Sequence, residues 1–127
     1  MRVSAVHHVS INVDDLDRAL GFYTGVLGLT VRTDRPALGV DGAWLDAGGQ
    51  QVHLIVADVP PDRGQHLALL VDDLDAAVEE LRALDVRVSD PVPVAGVRQA
   101  FFRDPAGNRV EIDQELGQQP DQDGRRP

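Results

Sequence analysis

The chain has 127 residues, one domain's worth, with 43% apolar side chains and 21 acidic against 12 basic residues, a formal charge of −9. That length buries a core unaided, and the acidic balance excludes nucleic acid and anionic membranes as partners, since both need a basic footprint. Cysteine and lysine are absent, which excludes disulfides, thiolate catalysis, zinc–sulfur sites, Schiff bases and P-loop chemistry.

In chain order, residues 3–13 alternate and are rich in Val and Ile, which predicts a strand. Asp14 or Asp15 then caps a helix whose stripe is Leu16, Ala19, Leu20, Tyr23, Val26 and Leu27, with Gly28 as its C-cap. Short strands follow at 29–33, 43–47 and 51–57. Val59-Pro-Pro-Asp-Arg-Gly64 has the composition of a linker. The same order then recurs: a strand over 65–71, a helix capped by Asp72 or Asp73 with Leu74, Ala77, Val78, Leu81 and Leu84 as its stripe, and strands at 86–88, 97–103 and 109–114. The polar tail 117–127 has no apolar residue after Leu116 and is expected to be disordered.

The recurrence is visible in the residues. Val-Asp-Asp-Leu-Asp occurs at 13–17 and at 71–75, an offset of 58. Asp46-Ala-Gly-Gly-Gln-Gln-Val-His53 lies over Asp104-Pro-Ala-Gly-Asn-Arg-Val-Glu111 at that offset. Two matching blocks at one offset imply two tandem βαβββ modules, 1–58 and 64–116, joined by 59–63 in one α+β domain, 1–116.

The offset pairs His8 with His66, and His53 with Glu111. Alternation puts Val9, Ile11 and Val13 toward the helix, and His8, Ser10 and Asn12 on the other face. Val52 and Leu54 likewise leave His53 on the far side, and Val110 and Ile112 leave Glu111 there. If the sheets curl around one cavity, three imidazoles and a carboxylate converge, a donor set for a divalent zinc, nickel, iron, manganese or cobalt ion. His7 falls on the opposite face and reads as structural. Gln99 and Phe101 share the face of Glu111 and, with Ser10, are the candidate substrate contacts. Trp44 and Phe102 stand at equivalent repeat positions and read as core. Tyr23 is the single tyrosine left as a candidate for chemistry.

His8-Val9, the Asp14–Leu29 stretch with Phe22-Tyr23 and Val26-Leu27-Gly28, and Phe101-Phe102-Arg103-Asp104-Pro105-Ala106-Gly107-Asn108 ending in Glu111 resemble the vicinal oxygen chelate superfamily. This is the glyoxalase, bleomycin-resistance and extradiol dioxygenase fold, and the likeness is greatest to its glyoxalase I-like branch. The resemblance implies an eight-stranded cup-shaped sheet with helices outside. It also implies a divalent metal held by His8, His66 and Glu111, and a homodimer. The place of His53 usually holds Glu or Gln in this branch, so His53 is a fourth ligand or an opposing base. The implied function is a metal-dependent lyase or isomerase working through a metal-stabilised enolate of a small substrate chelated by neighbouring oxygens, with Glu111 and His53 catalytic. Two alternatives stand beside it: a ferrous extradiol-type dioxygenase using the two-His, one-Glu triad, and a non-catalytic antibiotic-sequestering protein. No run is long and apolar enough for a membrane span and no leader opens the chain, so the expected location is the cytoplasm.

Overall fold

Asp15 and Asp73 each sit in extended backbone and turn a carboxylate back onto the amide of the third residue on, Arg18 and Ala76. Both helices start there because the side chain satisfies an amide the first turn cannot. In the computed structural model, which describes residues 1–117, these caps open α1 (Leu16–Gly25) and α2 (Leu74–Ala83). The α1 helix ends three residues before Gly28, which takes a left-handed φ of 75° just beyond it.

The described chain divides into two compact units. The first is Met1–Arg63 with Asp104–Asn108; the second is Gly64–Arg103 with Arg109 onward. The first holds β1 (His8–Val13), α1, β2 (Thr30–Val31), β3 (Gly42–Ala47) and β4 (Gln50–Val56), in a sheet ordered β1-β4-β3-β2. The second holds β5 (Leu67–Leu70), α2, β6 (Val92–Val94), β7 (Val97–Arg103) and β8 (Arg109–Glu115), ordered β5-β8-β7-β6. Each sheet pairs its first and last strands parallel and the rest antiparallel. Each unit is thus βαβββ, an α+β arrangement.

One expected strand moves. Residues 86–88 form no strand, and the edge of the second sheet is β6 instead. The approach to it still bonds to β7: the Ser89 amide donates to the Phe101 carbonyl at 3.0 Å, and the Phe101 amide donates to Ser89 Oγ at 2.8 Å. Apolar faces pack as alternation requires. Val13, Leu45, Val52 and Leu54 are fully buried with Ala19 and Tyr23; Val110, Ile112, Ala100 and Phe102 are buried with Leu74, Val78 and Leu81.

Tyr23 is not a site residue. It is 0% exposed, and its hydroxyl donates to Asp104 Oδ2 at 2.8 Å. Burial first, then the charge and hydrogen bond of Asp104, push the phenol far above its usual range, so it stays a donor. Asp104 is buried too, and its carboxylate also accepts from the amides of Ala106 and Asn108 and from Asn108 Nδ2. Asn108 Nδ2 in turn donates to the Asn12 carbonyl. The Phe-Tyr and Asp-Pro-Ala-Gly-Asn motifs are therefore two ends of one buried polar cluster.

Gly42 opens β3 where a Cβ would collide with the Leu54 carbonyl oxygen and lie 3.0 Å from an Arg35 guanidinium nitrogen. The carbonyl is backbone in a paired strand and cannot yield. Gly42→Ala is expected to cost about 2 kcal/mol, within the range for overpacking a tight site, read as a lower urea midpoint at unchanged slope.

Candidate metal and substrate site

Parallel pairing of β1 with β4 sets Ser10 beside His53 and brings His8 one step along the same face. The His8 and His53 rings stack with centroids 3.9 Å apart and planes 12° off parallel. Antiparallel pairing of β3 with β4 sets Trp44 opposite His53, and the indole stacks on the imidazole's other side at 4.6 Å and 12°. His53 is therefore the middle ring of a three-ring column, only 8% exposed. Its Nε2 lies 2.8 Å from Gln51 Oε1; with Nε2–H donating there, Nδ1 carries the lone pair. Burial first, then His8, His7 and the guanidiniums of Arg32 and Arg35, hold His53 below the usual imidazole range. The ring is neutral at neutral pH, the form that binds a metal or accepts a proton.

The second unit repeats the register with a different chemistry. Ala68 pairs with Glu111, so the preceding His66 stands one step along the Glu111 face. His66 Nε2 is 2.9 Å from Glu111 Oε1, and His66 Nδ1 is 2.7 Å from the Gly64 carbonyl oxygen. The carbonyl fixes Nδ1 as a donor and aims Nε2 at the carboxylate. Phe101 is the cross-strand partner of Glu111 and meets the His66 ring edge-on at 5.6 Å. Gln99 stands opposite Asp113, one step along that face.

Each unit thus brings its own two expected donors together, His8 with His53 and His66 with Glu111. Among the described residues, no three His, Asp or Glu side chains gather as a metal-holding group. The donor chemistry within each unit fits a divalent ion: imidazole and carboxylate are ligand types of zinc, nickel and ferrous iron. The spacing of His66 Nε2 and Glu111 Oε1 fits as well, since adjacent ligands about 2.1 Å from one ion lie about 3 Å apart. Both atoms are hydrogen-bond partners here through a proton that a cation would replace.

Three residues on these faces escaped the sequence reading. Trp44 is not core; it flanks His53 as Phe101 flanks Glu111. Its repeat equivalent is Phe101 rather than Phe102, because the β3–β4 turn leaves two residues between paired ends and the β7–β8 turn leaves five. Turn length was the available signal. His7 is not on the opposite side; it precedes β1, outside the alternation, and its Nδ1 lies 2.9 Å from His8 Nδ1. Asp113 follows Glu111 by two and shares its face. Burial, then the hydrogen bond and charge of Glu111, push its carboxyl up to about 6 against a lowering by His66.

In chelator-treated protein Asp113 binds its proton more tightly folded than unfolded. The stability this contributes is full below about 3.8 and lost as pH rises through about 6. Asp113→Asn is expected to flatten that fall and to stabilise the protein by about 1 kcal/mol near neutral pH, a figure discounted for solvent contact. Urea melts across that pH window check it.

Two βαβββ units, each presenting a histidine and a second polar side chain from equivalent strands, define a class of proteins built by duplication of one module. Residues 5–112 match the Glyoxalase/Bleomycin resistance protein/Dioxygenase superfamily, and the chain belongs to that family. A 2-epi-5-epi-valiolone epimerase from Actinomyces sp. is 33% identical over 85% of this chain and 78% of its own. A probable lactoylglutathione lyase of Arabidopsis thaliana is 32% identical over 83% of this chain, which spans 34% of that longer protein. Among solved structures, lactoylglutathione lyase from Agrobacterium tumefaciens superposes with a TM-score of 0.71 at 26% identity, covering 90% of this chain and 96% of that one. The antibiotic-binding protein TnmS3 of Streptomyces sp. CB03234 superposes at 0.74 and 29%, covering 91% and 98%. Among the described residues no helix is long and apolar enough to cross a membrane.

Proposed function

We propose that the chain is a metal-dependent lyase or isomerase of the glyoxalase type, acting on a small substrate that presents neighbouring oxygens. The observation that carries this is the His66–Glu111 pair: an imidazole fixed through Nδ1, its Nε2 2.9 Å from a carboxylate that is 9% exposed. We assign His8, His66 and Glu111 as the metal donors, with His53 either a fourth ligand or an opposing base. A divalent ion bound by such donors would supply Lewis acidity to a substrate oxygen. Glu111 moves a proton between adjacent substrate carbons, and neutral His53, where it is not a ligand, is the opposing base. Phe101, Gln99 and Ser10, which stand beside these groups, hold the substrate. The working form in this reading is a homodimer: β1 and β5 are terminal strands of their sheets and expose Val9 and Leu70, and such edges seek a partner.

The test uses the molecules named by the relatives. Metal-loaded protein is incubated under argon with lactoylglutathione or with 2-epi-5-epi-valiolone in deuterated buffer. Deuterium entering a carbon beside an oxygen-bearing carbon is the expected result. No exchange, with oxygen consumed on addition of a catechol to iron-loaded protein, would instead establish the dioxygenase alternative.

The His8–His53–Trp44 column favours one second reading, a flat aromatic wall for a sequestered drug, in keeping with the likeness to an antibiotic-binding protein. It predicts ligand capture without metal and without turnover.

A further inference from the structure

Three arginines of the second unit line one cavity. In the β7–β8 pairing Arg103 is the register partner of Arg109. Arg103 and Arg109 therefore form one rung of the sheet, and Arg87 borders the same cavity as both. The next rung on the same face is Phe101 and Glu111. The three arginines border a common cavity of about 610 Å³, together with Phe101 and Phe102. Arg109 holds its guanidinium 5.9 Å from the centre of the Phe101 ring, and Phe101 also touches His66.

We infer that these arginines form a binding site for the oxyanion of a small-molecule ligand, a carboxylate or a phosphate. Guanidinium groups present paired donors in the geometry such oxygens accept. The placement further defines the substrate class, and this part rests on the function proposed above. Arg109 and Glu111 share a face two residues apart on β8, about 7 Å along the strand. A substrate with its neighbouring oxygens at Glu111 and His66 would lay its body on Phe101 and its anionic group among the arginines.

Calorimetric titration of the full chain with inorganic phosphate, and separately with acetate, tests the site. It is run on the protein as purified and again after chelation, so that binding through a metal is told apart. Saturable binding of at least one anion in both states is expected, and the tighter of the two names the group. Arg103→Gln with Arg109→Gln should weaken it about tenfold or more, while Arg103→Lys with Arg109→Lys should retain part of it. Arg87→Gln, at an exposed position, gives a second reading should the double variant fail to fold. Glu111→Gln should leave anion binding in place, so that loss of catalysis and loss of this site are separate results. No saturable binding of either anion, or binding unchanged in the Arg→Gln variants, overturns the inference.

Discussion

Glu111→Gln is expected to lower turnover of a competent substrate by about a hundred- to ten-thousand-fold, the usual worth of a positioned acid–base group. The substitution keeps the shape of the side chain and removes its charge and basicity. Glu111 is buried on a strand whose inward neighbours Val110 and Ile112 hold the core, so folding should survive. The loss should appear in kcat and kcat/KM together, as for a group acting in the transition state. Steady-state kinetics beside a thermal melt make the check. A variant with full activity would remove Glu111 as the base.

The largest stability effect is expected at Asp104. Its carboxylate accepts four hydrogen bonds, from Tyr23 Oη, the amides of Ala106 and Asn108, and Asn108 Nδ2. Asp104→Ala leaves those donors without an acceptor where the carboxylate is 4% exposed. The expected cost is about 3–5 kcal/mol, the range for breaking a buried polar cluster. Tyr23→Phe removes one donor and should cost about 1–2 kcal/mol. The two share a partner, so the double variant should be little worse than Asp104→Ala alone. Chemical denaturation of the three variants settles the ordering, and additive losses would contradict the shared cluster.

Much of this was legible beforehand because the chain repeats. An offset of 58 carries His8 onto His66 and His53 onto Glu111, and the observed registers keep both relations: Ser10 beside His53 answers Ala68 beside Glu111. Local chemistry narrowed each cap to two aspartates, Asp14 or Asp15 and Asp72 or Asp73, and the second of each is the one used. What was illegible depended on neighbours distant in sequence. Nothing near Tyr23 announces Asp104, 81 residues away. Trp44 was misplaced because the offset does not hold across turns of unequal length. Asp113 is an ordinary acid on its strand until burial and Glu111 act on it. The strand expected at 86–88 failed because the chain reaches the sheet edge only at Val92–Val94. The expected disorder of the tail concerns residues that, from 118 on, lie outside those described.

The central claim is that these donors hold a divalent metal. The most direct test is elemental analysis of protein purified without oxygen, beside a His8→Ala, Glu111→Ala double variant. About one metal per site in the wild type and none in the variant is the expected result, with nickel, zinc or cobalt supporting the isomerase reading and iron the oxygenase one. A wild type that holds no metal and takes none up from any of these ions would contradict it, and would favour the reading as a sequestering protein instead.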